Sequence, residues 1–136
     1  MKVLFDTNII LDVLLIRNPF FALSANLLDA VESKDIDGFL CATTLTTIDY
    51  LVTKFQNKYV AKLAISKLLS LYSIAEVNQS VLNFANTSNF SDFEDAVLYF
   101  SALNVGVDSI VTRNNNDFTS ANLPVYTPNQ LWDLIN

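Results

Sequence analysis

The chain has 136 residues, the length of one ordinary domain, and we expect residues 1–136 to form a single domain. Hydrophobic residues make up 51% and charged residues only 16%, which excludes intrinsic disorder, and no apolar run approaches the length of a membrane span. The chain has no histidine and only two glycines, which excludes imidazole bases, HExxH zinc sites and glycine-rich phosphate loops.

Carboxylates are what the sequence offers in quantity. There are 14 acidic residues against 8 basic ones, and the formal net charge is -6, which is unfavourable for binding nucleic acid. Carboxylates without imidazoles favour hard cations such as Mg²⁺ or Mn²⁺. The N-terminus lacks a signal sequence, and the single cysteine, Cys41, has no disulfide partner, so we expect a cytoplasmic protein without membrane association.

The first half of the chain alternates short apolar runs with helical spacing. The pattern predicts a buried strand at residues 2–5, a helix to about Ile16 and a second helix over residues 20–34. Asp37 and Gly38 predict a turn before a strand at residues 39–42. Two helical stripes then follow, at residues 45–55 and 60–72.

The second half continues the alternation and contains two helix-start signals. A strand is predicted at residues 73–77, followed by a helix to about Asn86. Ser91 and Glu94 predict a capping box before a helix at residues 96–104, and Thr127 and Gln130 predict another before the last helix. Short strands are predicted at residues 109–111 and 124–126. Strands separated by helices predict an α/β fold: a three-layer α/β/α sandwich around a parallel sheet of about five strands.

Three aspartates from distant parts of the chain follow predicted strands or begin a predicted helix. Asp6 ends the first strand, Asp95 lies on a first helical turn with Asp92 three residues earlier, and Asp117 follows the fourth strand. Sites in parallel sheets lie beyond the carboxyl ends of the strands, so these residues are expected to converge, and their mutual repulsion implies a divalent cation. Each aspartate taken alone is more often a helix cap than a ligand. Asp12 is predicted to be a solvated surface residue.

Three segments in order along the chain resemble the PIN domain family. They are Val3-Leu4-Phe5-Asp6-Thr7-Asn8 near the start, Phe93-Glu94-Asp95-Ala96, and Thr112-Arg113-Asn114-Asn115-Asn116-Asp117-Phe118. The resemblance covers essentially the whole chain and implies the same α/β/α sandwich. It also implies a Mg²⁺- or Mn²⁺-dependent endoribonuclease, and the commonest small stand-alone members are VapC-like toxins of toxin–antitoxin pairs.

The resemblance also implies roles for particular residues. Asp6, Asp95 and Asp117 match the acids of the family that hold the metal and activate water, with Asn8, Thr112 and Asn114 as supporting polar groups. Arg113 either contacts a substrate phosphate or balances the acids. The implied partners are an RNA substrate and an antitoxin protein, and a homodimer is a further candidate.

One acid of the family has no counterpart at the matching position. The family usually has an acid early in the helix after the second strand, where this sequence has Thr47. Asp49 is two residues on, about 200° round a helix, and either it or Asp92 is the candidate substitute. The alternative hypothesis is therefore a catalytically weak or inactive PIN-like module that binds RNA or protein in a regulatory role.

Overall fold

The computed structural model describes residues 1–119 and 121–136, within which strands and helices alternate along the chain. The strands are β1 (Lys2–Phe5), β2 (Asp37–Cys41), β3 (Ser73–Ala75), β4 (Ser109–Val111) and β5 (Val125–Tyr126). The helices are α1 (Thr7–Leu14), α2 (Phe21–Glu32), α3 (Ala42–Phe55), α4 (Lys58–Leu71), α5 (Gln79–Thr87), α6 (Phe93–Val105) and α7 (Pro128–Ile135), with a 3₁₀ helix at Asn115–Phe118. None of the helices in these residues combines the length and the apolar character needed to cross a membrane.

The five strands form one parallel sheet in the order β3-β2-β1-β4-β5. The first strand of the chain is therefore the central one, with β2 on one side and β4 on the other. Because all the strands are parallel, all their carboxyl ends lie along one edge of the sheet. The predicted α/β/α sandwich with about five strands is confirmed.

Alternation along the buried strands divides the core between the two faces of the sheet. Val3 and Phe5 face a core made with helices α1, α2, α3, α4 and α7. Leu4 faces the opposite core, made mainly with α5 and α6. Strands buried on both faces are apolar throughout rather than alternating with polar residues, which is why the Lys2–Phe5 segment was recognisable from sequence.

Gly38 lies inside β2, and the prediction of a turn at Asp37 and Gly38 is wrong. Neighbouring side chains lie so close to the Cα of Gly38 that a Cβ there would be 2.7 Å from the ring of Tyr72 and 2.9 Å from Val31. The glycine therefore permits close packing within a strand, a use that a dipeptide turn signal does not distinguish from a turn.

Several boundaries also differ from the prediction. Ala42, predicted as the end of a strand, is the first residue of α3. Helix α6 begins at Phe93, and its N-cap is Asp92, whose carboxylate accepts from the N–H of Asp95; the prediction of Ser91 as the cap is wrong. Both residue types cap helices, and the sequence alone did not separate them. Helix α1 ends at Leu14 rather than near Ile16, because Ile16 has a φ of 51°, in the left-handed region.

We expect Gly38→Ala to lower the free energy of unfolding by about 1–3 kcal/mol, because the added methyl group overpacks the contact with Tyr72. Urea denaturation measures this change. In a double-mutant cycle with Tyr72→Ala, the penalty of Gly38→Ala should shrink. An unchanged urea midpoint for Gly38→Ala alone would contradict the packing argument.

Candidate metal centre

Asp6 is the most constrained acidic side chain at the carboxyl edge of the sheet. It directly follows β1, and its backbone N–H donates to the carbonyl of Val111 at 2.9 Å. One carboxylate oxygen caps α1 by accepting from the N–H of Thr7 at 2.7 Å, and the other accepts from the hydroxyl of Thr112 at 2.6 Å. These three hydrogen bonds fix the orientation of Asp6, and only 7% of the residue is exposed.

Thr112 joins the ends of two neighbouring strands to Asp6. Its N–H donates to the carbonyl of Tyr126, and its hydroxyl, besides donating to Asp6, accepts from the N–H of Asn114 at 3.0 Å. Thr112 is fully buried. The supporting role predicted for Thr112 thus has a physical basis: it orients the Asp6 carboxylate and shapes the loop after β4. Asn114 takes part through its backbone, and its side chain is exposed.

Asp95 lies on the first turn of α6, one turn beyond its cap Asp92, and is half-buried. Burial and, in decreasing order, the charges of Asp6, Asp92, Asp117 and Glu94 together raise the pKa of the Asp95 carboxyl to about 7. No basic side chain is among the causes. Asp95, at the start of a helix, is therefore repelled by Asp6 and Asp117, which follow strands.

Burial also raises the pKa of the Asp6 carboxyl above its usual range, although its hydrogen bonds with Thr112 and Thr7 act in the opposite direction. The charges of Glu94 and Asp117 raise it further. We call the five mutually repelling carboxylates the acidic cluster. Its members are Asp6, Asp92, Glu94, Asp95 and Asp117. Glu94 was not proposed from the sequence as a site residue, although it lies beside Asp95 in the segment that carried the resemblance.

Thr47, at the position of the missing acid, and the candidate substitute Asp49 lie on different sides of α3. The buried hydroxyl of Thr44 is 2.8 Å from that of Thr7, so this side of α3 adjoins the start of α1. Thr47 is about 60° from Thr44 round the helix and half-buried, whereas Asp49, about 200° from Thr47, is exposed. Asp49 is not among the charges that act on Asp6 or Asp95.

Asn8 lies on the first turn of α1 and has one polar atom without a partner. Its side-chain oxygen Oδ1 is buried and accepts no hydrogen bond from the described residues. A buried acceptor left unpaired is unfavourable, so this oxygen is available to a cation or a donor that approaches α1 from the sheet edge.

Arg113 follows Thr112, and its guanidinium binds Asp12 rather than a member of the acidic cluster. Its Nε donates to one carboxylate oxygen of Asp12 and its Nη2 to the other at 3.2 Å. Asp12 is fully buried, so the prediction that it is a solvated surface residue is wrong. Arg17 is also 3.9 Å from Asp12, but the hydrogen-bonded partner, Arg113, is 101 residues away in sequence, and no local pattern indicates that pairing.

A family model described as PIN domain matches residues 2–116. The chain belongs to the PIN domain family. A comparison with curated proteins gave no significant match.

Several solved structures are similar to this PIN domain in fold. The FitAcB complex of Neisseria gonorrhoeae is 20% identical with a TM-score of 0.67, and the similarity covers 93% of this chain and 97% of that one. VapBC2 of Rickettsia felis, bound to a promoter DNA fragment, is 16% identical with a TM-score of 0.66, covering 93% and 98%. VapC20 of Mycobacterium tuberculosis, described as a sarcin–ricin loop cleaving toxin, is 12% identical with a TM-score of 0.70, covering 87% and 94%.

The acidic cluster of this PIN domain fits a hard divalent cation by the chemistry of its donors. All members of the acidic cluster supply carboxylate oxygens. The buried Oδ1 of Asn8, two residues after Asp6 in the sequence, is a further hard donor. A cation would relieve the repulsion that raises the pKa of Asp95. As the side chains stand, no three metal-ligating residues among those described are grouped closely enough to hold an ion.

We expect the metal-free protein to lose stability as the pH rises from about 4 to about 7. Asp95 has a pKa of about 7 when folded and near 3.9 when unfolded, so over this interval the folded state binds more protons. The stability that Asp95 contributes is fully present below its pKa in the unfolded state and is lost as the pH rises through its pKa in the folded state. Urea midpoints measured in EDTA across this range should fall less steeply for Asp95→Asn than for the wild type.

Asp133→Asn serves as the matched control, since Asp133 is exposed on α7 and lies outside the acidic cluster. Its pH profile should parallel that of the wild type. Parallel profiles for the wild type and Asp95→Asn would show that the charges near Asp95 do not couple to folding.

Proposed function

We propose that this PIN domain is a divalent metal-dependent endoribonuclease that hydrolyses RNA phosphodiester bonds. The observation that carries the proposal is the acidic cluster, in which the pKa of Asp95 is raised to about 7 by burial and by four neighbouring carboxylates. Such a concentration of like charge destabilises a protein unless a cation offsets it. Its position beyond the carboxyl ends of β1 and β4 is where ligands bind in parallel sheets.

The metal, Mg²⁺ or Mn²⁺, would be held by Asp6, Asp95 and Asp117, with Asp92 and the Oδ1 of Asn8 as further donors. When bound, such an ion offsets negative charge at the scissile phosphate and lowers the pKa of water. Thr112 orients the Asp6 carboxylate through its 2.6 Å hydrogen bond. With no histidine in the chain, the carboxylates of the acidic cluster are the groups available to accept a proton near neutral pH.

We further propose that the protein is the toxin of a toxin–antitoxin pair, acts in the cytoplasm and binds an antitoxin protein, with a homodimer as a possible assembly. Support comes from the similar structures, which include a toxin–antitoxin complex from Klebsiella pneumoniae at 22% identity and a TM-score of 0.69, covering 93% of this chain and 97% of that one. VapC20, the sarcin–ricin loop cleaving toxin, favours an RNA substrate.

A second candidate function is an RNA- or protein-binding module without catalysis. It is favoured by Thr47 at the position of the missing acid and by the open spacing of the carboxylates among the described residues. The two functions differ in one measurable property, which is metal-dependent cleavage of RNA.

We expect Asp6→Asn and Asp95→Asn each to abolish Mg²⁺- or Mn²⁺-dependent cleavage of single-stranded RNA, since an amide is a neutral and weaker ligand. Cleavage is followed on labelled RNA by gel electrophoresis, with EDTA as the metal-free arm. Asp133→Asn should retain the wild-type rate. Cleavage that persists in EDTA, or in both active-site variants, would contradict the proposed mechanism.

We expect Asp49→Ala to change the cleavage rate less than twofold, because Asp49 is exposed and does not act on Asp6 or Asp95. Thr47→Glu, on the side of α3 near Thr44, should instead lower the Mn²⁺ concentration needed for half-maximal cleavage. A tenfold loss on Asp49→Ala, about 1.4 kcal/mol, would place Asp49 in the metal centre after all.

A further inference from the structure

A cleft of about 640 Å³ opens beside Arg113 at the carboxyl edge of the sheet. This volume is within the range of about 300–1,000 Å³ that is usual for small-ligand sites. The cleft lies between the start of α2, the start of α7 and the loop after β4. Its main lining residues are Phe20, Leu23, Arg113, Thr127, Pro128 and Asn129.

Arg113 is fixed in the wall of this cleft by two contacts. Its Nε and Nη2 bind the fully buried carboxylate of Asp12, and its guanidinium carbon is 4.0 Å from the ring centroid of Phe20. A guanidinium has five N–H donors, and Asp12 takes two of them. The other three have no hydrogen-bond partner in the described part of the chain. Arg113 thus offers oriented donors next to an aromatic ring that is 40% exposed.

The cleft and the acidic cluster share the loop after β4. Arg113 lines the cleft, and the preceding residue, Thr112, donates its hydroxyl to Asp6. Thr127, at the opposite wall, follows β5, which is the neighbour of β4 in the sheet. This shared loop connects the cleft with the acidic cluster, where the scissile phosphate is proposed to lie.

We propose that this cleft binds one nucleobase of a single-stranded RNA substrate, next to the bond that is cleaved. The inference rests on the proposed function and names the part of the substrate that the cleft recognises. The ring of Phe20 supplies an apolar face for the base, and the uncommitted N–H donors of Arg113 meet acceptors on the base edge. Aromatic rings and arginine planes are the usual contacts of unstacked RNA bases.

Charge favours an RNA strand over a basic or neutral peptide as the occupant. Asp12 pairs with both Arg113 and Arg17, so these three side chains carry one net positive charge, which suits the electronegative edge of a base in a polyanionic strand. The phosphates themselves need cations, and the proposed metal supplies those at the neighbouring acidic cluster. In this proposal a metal at the acidic cluster binds the phosphate, and the cleft lined by Phe20 and Arg113 binds the base.

The test compares Phe20→Ala with Phe55→Ala on intact and abasic RNA. Phe55 is the matched control because it too is exposed, with the cation of Lys54 over its ring, but lies at the far end of α3. Removing the base at one nucleotide that flanks the cleavage site should slow the wild type about tenfold. Phe20→Ala should slow intact RNA by a similar factor and abasic RNA hardly at all, whereas Phe55→Ala should match the wild type.

A binding measurement separates failure of this inference from failure of the proposed function. Asp95→Asn, which is expected not to cleave, is mixed in Mg²⁺ with RNA carrying 2-aminopurine at single positions, and stacking on Phe20 should quench the fluorescence at one of them. Adding Phe20→Ala should abolish that quenching. Phe20→Leu keeps the volume without the ring and replaces Phe20→Ala if the latter fails to fold.

Each result decides between the possibilities. No cleavage by the wild type together with Phe20-dependent quenching would remove the nuclease proposal and leave the base site. Cleavage with equal effects of Phe20→Ala on intact and abasic RNA would overturn the base site and leave the nuclease. A Phe20→Ala protein that keeps its RNA rates but changes its molar mass in light scattering would show that the cleft is a protein contact, which also overturns the inference.

Discussion

The carboxylate of Asp6 holds together the end of the central strand, the start of the first helix and the loop after β4. Its oxygens are occupied by the N–H of Thr7 and the hydroxyl of Thr112, while its own N–H completes the ladder to Val111. The parallel order β2-β1-β4 makes this possible, because it places three strand ends side by side. An acid with so few free orientations is preorganised, and the cost of orienting it is met during folding.

The same edge of the sheet concentrates charge that works against folding. Burial and the charges of four other carboxylates raise the pKa of Asp95 to about 7. Natural sites often retain such local destabilisation because function requires it. In this protein the well-packed core on both faces of the sheet carries the stability, and the acidic edge is tolerated.

Features with local signals could be predicted from the sequence. They are the strands, the second capping box and the positions of Asp6, Asp95 and Asp117 relative to the strands and helices. Thr127 and Gln130 form the capping box as predicted, with both hydrogen bonds present. What the sequence did not predict depends on distant partners. Asp12 is buried because Arg113 meets it, 101 residues later, and Gly38 is needed because Tyr72 packs against it. Periodicity and cap signals contain no information about such pairs.

The order of strands in the sheet also has a consequence during synthesis. The strand made first, β1, is central, and one of its two neighbours is β4, which leaves the ribosome more than a hundred residues later. Until then one side of β1 has no ladder partner, and neither Thr112 nor Asp117 has been made. A nascent chain interrupted before residue 109 therefore contains Asp6 and Asp95 without the other groups of the proposed metal centre. Assembly of this edge of the sheet is a late event of translation because of the order of the strands.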